Sequence, residues 1–336
     1  MSLENPEHVA VAIVGSGMAG LACARALTDA GLQTAIMDKG RGVGGRLATR
    51  RVESFQFDHG AQYVTAKTPG FAQVLSEMKT ANTAADWPIH GTGVRTVGTP
   101  GMASLAKYLA TGLDLRQGLQ VTAAVPTSAG WRIECKDSAP VIAACMVITA
   151  PAPQIGPLLA HGDSNGMHNT RLLEPLAAVA YDPCLTLMAA VEGNHAGFNT
   201  REDASDALAW IAQDSSKPGR SALNVATWVA QAGPVFSQDH LEKEPAEIAA
   251  LMVPMLCERI GASPTQVVYS AAHRWRYARV RTPLGQPFLA SSDQRLYLGG
   301  DWCLGARVEA AWQSGVAIAQ DILLHTQAHH KPSDDA

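Results

Sequence analysis

The chain has 336 residues, 47% of them hydrophobic and 17% charged, with a formal net charge of −4. That is the composition of a globular protein able to bury a sizeable core, and the length suggests about two domains. The slightly acidic balance argues against a nucleic-acid partner held by phosphate neutralisation, and no apolar run approaches the ~20 residues of a membrane span.

Six cysteines are scattered without a C-x-x-C pair, so neither a zinc site nor a disulfide framework is expected, and no metal is assigned. Buried, reduced thiols in a cytoplasmic protein are the simplest reading. The stretch from Met1 to His8 is polar and acidic, unlike a signal peptide.

In chain order, the apolar run Val11 to Val14 predicts a buried strand. Gly15-Ser16-Gly17-Met18-Ala19-Gly20 follows at G-x-G-x-x-G spacing, and a helical pattern begins at Leu21, Ala24 and Leu27. Gly15 makes the tight turn, Gly17 lets the backbone approach a pyrophosphate, and Gly20 lets helix and strand pack closely. The helix N-terminus, with Met18 and Ala19, offers N–H groups to phosphate. A second strand, Gln33 to Met37, ends in Asp38, placed to accept hydrogen bonds from a ribose diol. A structural βαβ unit without a nucleotide is the plainer alternative.

The next stretch, Gly40-Arg41-Gly42-Val43-Gly44-Gly45-Arg46, is backed by Thr49, Arg50 and Arg51. Such a loop can lie flat against a cofactor, with Arg46 offering a planar donor fork to its diphosphate. It could also be a solvated basic loop. Lys39 and Arg41 could hold an NADP 2′-phosphate, but Asp38 would repel it, so FAD is preferred.

Phe57-Asp58-His59-Gly60-Ala61-Gln62-Tyr63 comes next, with Asp58 readable as a turn residue. Trp87 either caps a pocket or anchors a loop. A helix is expected around Leu105 to Leu109, then short strands near Leu115, Val121 and Trp131 to Ile133, and a buried strand from Met146 to Ala150.

From about Pro157 to Leu289 the pattern changes. Strand-like runs at Cys184 to Val191, Ala207 to Ala212 and Leu223 to Val229 suggest an antiparallel sheet. A helix near Ala246 to Ile260 carries Pro254, which predicts a kink or a break. Asn224 and Trp228 are pocket candidates on a predicted strand.

Residues 273–281 read His-Arg-Trp-Arg-Tyr-Ala-Arg-Val-Arg. At strand periodicity His273, Trp275 and Tyr277 share one face and Arg274 and Arg276 the other. The aromatic face is either a substrate surface or core packing. Leu296-Tyr297-Leu298-Gly299-Gly300-Asp301 predicts a strand ending in Gly-Gly-Asp. An amphipathic helix starts near Val308, with Gly315 implying close packing, and the tail after Leu324 is expected to fray.

The fold class is therefore α/β: a Rossmann-type FAD-binding domain with an inserted α+β substrate domain built on an antiparallel sheet. The expected boundaries are 1–66, 96–156 and 290–328 for the first, 67–95 and 157–289 for the second, and 329–336 as a disordered tail.

The glycine motif, Gly44-Gly45-Arg46, residues 57–63, His273-Arg274-Trp275-Arg276-Tyr277 and Gly299-Gly300-Asp301 together resemble the flavin amine oxidase superfamily, and within it the bacterial branch of the renalase family. The resemblance implies noncovalent FAD, held also by Ala61, Gln62, Val121, Gly300, Asp301 and Val308. It implies hydride transfer to flavin N5 from 1,2- and 1,6-dihydro isomers of NAD(P)H, giving NAD(P)⁺ and, with O2, hydrogen peroxide.

Such a reaction creates an aromatic pyridinium and needs no general base, so no catalytic acid or base is assigned. Gln62, Tyr63, Asn224, Trp228, His273, Trp275, Tyr277 and Arg307 are the pocket candidates. Arg307 stands where classical monoamine oxidases place a cage tyrosine; it would repel a cationic amine or, equally, contact FAD itself. Cys303 is expected to stay unlinked. The alternatives are a flavin-containing amine oxidase, a non-catalytic FAD-binding protein, and, were FAD itself wrong, an NADPH-dependent reductase.

Overall fold

The computed structural model describes residues 6–89, 94–160, 168–193, 195, 197–220 and 224–328. Two compact units emerge: residues 1–45, 109–180 and 281–336 form one, and 46–108 with 181–280 form the other. Relative to the expected boundaries, 46–66 and 96–108 group with the second sheet and 157–180 and 281–289 with the first. Phe57, from the hairpin Thr49–Val52 and Phe55–Asp58, packs against Met188, Ala190 and Val229 of that second sheet.

The first unit is a twisted α/β layer. The strand Glu7–Val14 lies between Thr34–Asp38 and Val141–Ile148, parallel to both, with Ile13 beside Ile36 and Val147. All three are fully buried, as expected for a parallel sheet covered on both faces. Leu115–Gln117 extends the sheet on one side and Leu296–Leu298 on the other, both parallel. An antiparallel excursion, Val121–Thr127 with Gly130–Cys135, joins the N-terminal half of Val141–Ile148.

The chain leaves Glu7–Val14 toward Thr34–Asp38 and returns on its other side as Val141–Ile148. The carboxyl ends of these strands are thus a topological switch point, where open α/β sheets take their ligands. The helices Met18–Asp29 and Val308–Ala328 pack on each other so closely that a Cβ at Gly315 would sit 2.1 Å from the Ala19 carbonyl oxygen. That is the packing reason for a glycine in mid-helix.

The second unit centres on a five-stranded sheet ordered Thr200–Glu202, Trp210–Gln213, Val225–Gln231, Ala180–Glu192 and Val267–Thr282. The registered pairs among the first four are antiparallel. Leu185, Leu187, Ala189 and Val191 face a core shared with Ile248, Met252 and Leu256 of the helix Pro245–Ile260, while Met188 and Ala190 face Phe57. Cover on both faces explains why this strand reads as an unbroken apolar run.

Pro254 does not break the helix, contrary to one branch of the expectation. It lies on the exposed side with Ala250, the residue whose carbonyl loses its amide donor, so water can take that acceptor. The expected fraying after Leu324 is also corrected: the last helix continues to Ala328, with the Thr326 hydroxyl donating to the Ile322 carbonyl at 2.8 Å. The expected tail 329–336 and Leu223 lie outside the described residues. Among the described residues no helix is long and apolar enough to cross a membrane.

Candidate functional site

The glycine motif sits where the switch point requires. Gly15 has φ +107°, and its neighbours leave no space: the Thr149 hydroxyl donates to the Val14 and Gly15 carbonyls at 3.1 and 3.2 Å. A Cβ at Gly20 would lie 2.0 Å from the Gly15 carbonyl oxygen, so helix and strand can meet only over glycine. Gly17, by contrast, faces open space, with nothing within 4 Å of where a Cβ would be. Met18 and Ala19 are buried in the first turn of the helix.

Asp38 organises this loop. Its Oδ2 accepts from the Ser16 amide at 2.6 Å and hydroxyl at 2.8 Å, and its Oδ1 accepts from the Gly40 amide at 2.6 Å. Lys39 is exposed beside it. The second glycine loop is bound to the first: the Gly44 amide donates to the Ser16 carbonyl at 2.9 Å, and a Cβ on Gly45, at φ +53°, would lie 3.9 Å from the Gly17 Cα.

Val121 is buried, and Gly300, at φ +152°, donates its amide to the Ser314 hydroxyl at 3.0 Å. Asp301 is buried, and Val308 opens the last helix, presenting its N-terminal amides. The open face at Gly17, the carboxylate at Asp38 and the helix N-terminus fit an adenine dinucleotide.

Arg307 is about half exposed, its guanidinium 3.8 Å from the Glu309 carboxylate. Burial pushes the Cys303 thiol up to about 12, so it stays protonated at neutral pH.

The second unit holds the other candidates. The Ala61 amide donates to the Arg46 carbonyl at 2.8 Å, and a Cβ on Gly60 would be 2.0 Å from that same oxygen. The Arg46 guanidinium itself donates to the Tyr277 and Ala278 carbonyls at 3.3 and 3.2 Å. Gln62 is buried and Tyr63 half-buried. His59, His273 and Trp275 form one ring cluster: His273 and Trp275 centroids lie 4.2 Å apart, and His59 stacks on Trp275 at 5.3 Å. The Trp275 indole N–H donates to the His59 carbonyl at 2.8 Å.

Tyr277 turns instead to Tyr181, 5.5 Å between centroids. Arg274 donates to the Leu241 carbonyl at 2.6 Å and Arg276 pairs with Glu242 at 2.7 Å, so the opposite strand face is fixed rather than free. Of the pocket candidates only His273 and Trp275 join the cluster. Trp228 is fully buried in the apolar core against Phe198, and Asn224 is exposed, its carbonyl accepting from the Gly193 amide. The strand Val225–Gln231 turns Trp228 into the core face.

Sequence reasoning passed over a buried charge cluster. Asp58, Asp214 and Lys217 have fully buried side chains and Arg220 is nearly so. Lys217 Nζ lies 3.1 Å from Asp58 and 2.7 Å from Asp214, and Arg220 pairs with both acids. Lys217 also donates to Gln62 Oε1 at 3.3 Å, while Gln62 Nε2 donates to the Asp58 and Gly60 carbonyls.

Burial alone would raise the Asp58 carboxyl. Lys217 and Arg220, with the Thr49 hydroxyl and Met102 amide, outweigh it and hold the group below the usual carboxylate range. Burial raises Asp214 against the same two cations. Trp87 anchors this loop, donating to the Ser216 hydroxyl at 3.2 Å with Lys217 5.2 Å from its ring centre.

Burial, then the nearby His273 and Arg50, push His59 down to about 4, and burial with Arg50 and Arg274 lowers His273. His59 is neutral at pH 7.

The parallel sheet, glycine cradle and ribose-side acid define a dinucleotide-binding flavoprotein fold. Residues 13–78 match an NAD(P)-binding Rossmann-like domain and residues 81–323 match the flavin containing amine oxidoreductase family. The second match spans well over half of the chain, and the protein belongs to that family. It is a flavin-dependent oxidoreductase, and FAD is its cofactor.

Solved structures agree on the fold. A putrescine oxidase bound to putrescine superposes with TM-score 0.70 at 14% identity, covering 95% of this chain and 100% of its own. A protein from Exiguobacterium sp. 255-15 assigned as a protoporphyrinogen oxidase gives 0.73 at 14%, covering 96% and 99%. Cyclohexylamine oxidase from Brevibacterium oxydans IH-35A gives 0.68 at 12%, covering 95% and 99%.

Proposed function

We propose that the protein is a renalase-like oxidase that removes hydride from the 1,2- or 1,6-dihydro isomers of NAD(P)H and returns NAD(P)⁺, with O2 reduced to hydrogen peroxide. The carrying observation is the ring cluster of His59, His273 and Trp275, with centroids 4.2 to 5.3 Å apart. Burial above all, and then Arg50, hold both imidazoles below their ordinary pKa, and the Asp58 carboxylate is paired with Lys217 and Arg220. Neutral ring faces suit a planar dihydropyridine, and Arg50 suits the anionic phosphates of the same molecule.

Bound FAD supplies the hydride acceptor. The chain's own part is to bind and orient. Gly17 and the amides of Met18 and Ala19, on a loop shaped by Gly15, Gly20 and Gly45, would meet the cofactor diphosphate. Asp38 would hold its ribose, and Gly300, Asp301 and Val308 its flavin end. His59, His273 and Trp275 would hold the dihydropyridine ring flat, with Gln62 and Tyr63 beside it. No side chain has to take a proton, because loss of hydride leaves an aromatic cation.

We further propose that the flavin is unlinked, in keeping with the protonated Cys303 thiol. Six free thiols, five of them buried, suit the reducing cytoplasm.

Amine oxidation is the second reading, favoured by the two amine oxidases among the similar structures. Aerobic turnover separates the two. The proposal predicts one NAD(P)⁺ and one hydrogen peroxide formed for each dihydropyridine consumed, with amines unreacted. Peroxide from putrescine or cyclohexylamine but from no dihydropyridine would replace it with the amine reading.

A further inference from the structure

We propose that Arg95, with the indole N–H of Trp210, forms an anion site that grips a phosphate of the nucleotide substrate. The proposal rests on the dihydropyridine-nucleotide reading and names the group that would recognise the substrate's charged end.

The local backbone builds the site. Val64 and Thr96 form an isolated antiparallel bridge, with the Val64 amide donating to the Thr96 carbonyl at 2.8 Å and the return bond at 3.0 Å. Both side chains are buried. Their neighbours Tyr63 and Arg95 therefore project from the opposite face of the bridge. There the Arg95 guanidinium lies 4.5 Å from the Tyr63 ring centre and 5.5 Å from that of Trp210, whose rings are 5.6 Å apart.

A cation held against ring faces is positioned without using any of its five N–H donors. Among the described residues Arg95 meets no carboxylate and donates no side-chain hydrogen bond, although it is only half-exposed. Four arginines of the same unit are committed to carboxylates: Arg201 and Arg259 to Asp206, Arg220 to Asp58 and Asp214, and Arg276 to Glu242.

Trp210 is an independent sign. It is more than nine-tenths buried, yet its Nε1 has no hydrogen-bond partner among the described residues. A buried donor left unpaired costs free energy unless a ligand supplies the acceptor. Two neighbouring groups that can only donate, one of them charged, select an oxyanion. Tyr63 directly follows Gln62, whose amide Lys217 fixes, so the site belongs to the same rigid segment as the proposed ring contacts.

The test uses the holoenzyme and two substrates that differ in phosphate: dihydroNAD and the corresponding dihydronicotinamide riboside, which has none. Arg95→Ala should lower the ratio of their kcat/KM values about ten-fold or more, mainly through KM for dihydroNAD. Arg95→Lys should recover only part of it, because an ammonium lacks the planar fork, and Trp210→Phe should lower the ratio without removing charge. A ratio unchanged in Arg95→Ala overturns the proposal, since a purely structural arginine would affect both substrates alike.

Calorimetric titration with inorganic pyrophosphate keeps the two readings apart. Binding weakened in Arg95→Ala while no dihydropyridine is oxidised would retain the anion site and discard the proposed reaction. Equal binding to both proteins, or none to the wild type, would discard the anion site.

Discussion

Lys217 carries its charge where no water reaches it, and that makes it the residue whose loss should matter most to the second unit. Its ammonium lies between Asp58 and Asp214, with Arg220 completing a set of two acids and two bases. Removing one member leaves a buried charge without its partner, which costs about 3–5 kcal/mol. Lys217→Met should therefore lower unfolding free energy by roughly that amount in a denaturant titration.

None of this was legible in the sequence. Asp58 reads as a turn residue, and Lys217 and Arg220 sit among serine, proline and glycine, where charge is ordinarily solvated. Their contacts join positions 159 and 162 residues apart, beyond any local pattern.

His59 gives the residue scale its pH dependence. Its folded pKa of about 4 is depressed below an ordinary value of 6.5. The unfolded chain thus binds a proton that the folded one refuses between those limits. Stability from the neutral ring is complete above pH 6.5 and falls away as pH drops toward 4, by an amount of order 3 kcal/mol. His59→Gln should flatten the loss of unfolding free energy between pH 6.5 and pH 4.5, measured beside the wild type.

At the scale of elements, the two helices of the first unit meet over Gly315. Helix propensity alone favours alanine there by about 1 kcal/mol. A Cβ, however, would lie 2.1 Å from backbone that belongs to another helix and cannot step aside cheaply. Overpacking of this kind costs about 1–3 kcal/mol, so Gly315→Ala should lower Tm rather than raise it and should reduce FAD retention on gel filtration.

This contact was legible, because a glycine weakens an amphipathic helix unless a neighbouring element needs the space its side chain would fill. The same holds for the nucleotide fingerprint: strand, glycines, helix, strand and acid fall within the first 38 residues and need no distant partner to be read. The helix Pro245–Ile260 was legible in extent, but not the fate of Pro254. Whether a proline breaks a helix depends on which face it occupies, and that face is set by packing against Leu185, Leu187 and their neighbours.

At the scale of the whole molecule, each unit is discontinuous. The nucleotide-binding unit draws its glycine loop, its excursion and its last helix from three chain segments. Motifs mark the first and last of these, and in the second unit only residues 57–63 and 273–277, while the rest of that unit carries strand and helix periodicity alone. The ring cluster shows the difference: His273 and Trp275 share a strand face and were legible together, whereas His59 sits in the 57–63 motif and joins them from more than 200 residues away, a contact no local pattern marks. Family membership follows from the whole chain, whereas the proposed substrate rests on the few side chains around that cluster.

The most direct measurement is anaerobic rapid mixing of the FAD-loaded protein with 1,2- and 1,6-dihydroNAD, and separately with amines, following flavin absorbance near ~450 nm. Rapid bleaching by a dihydro isomer, with amines inert, is the predicted result. Bleaching by an amine and by neither isomer would contradict it.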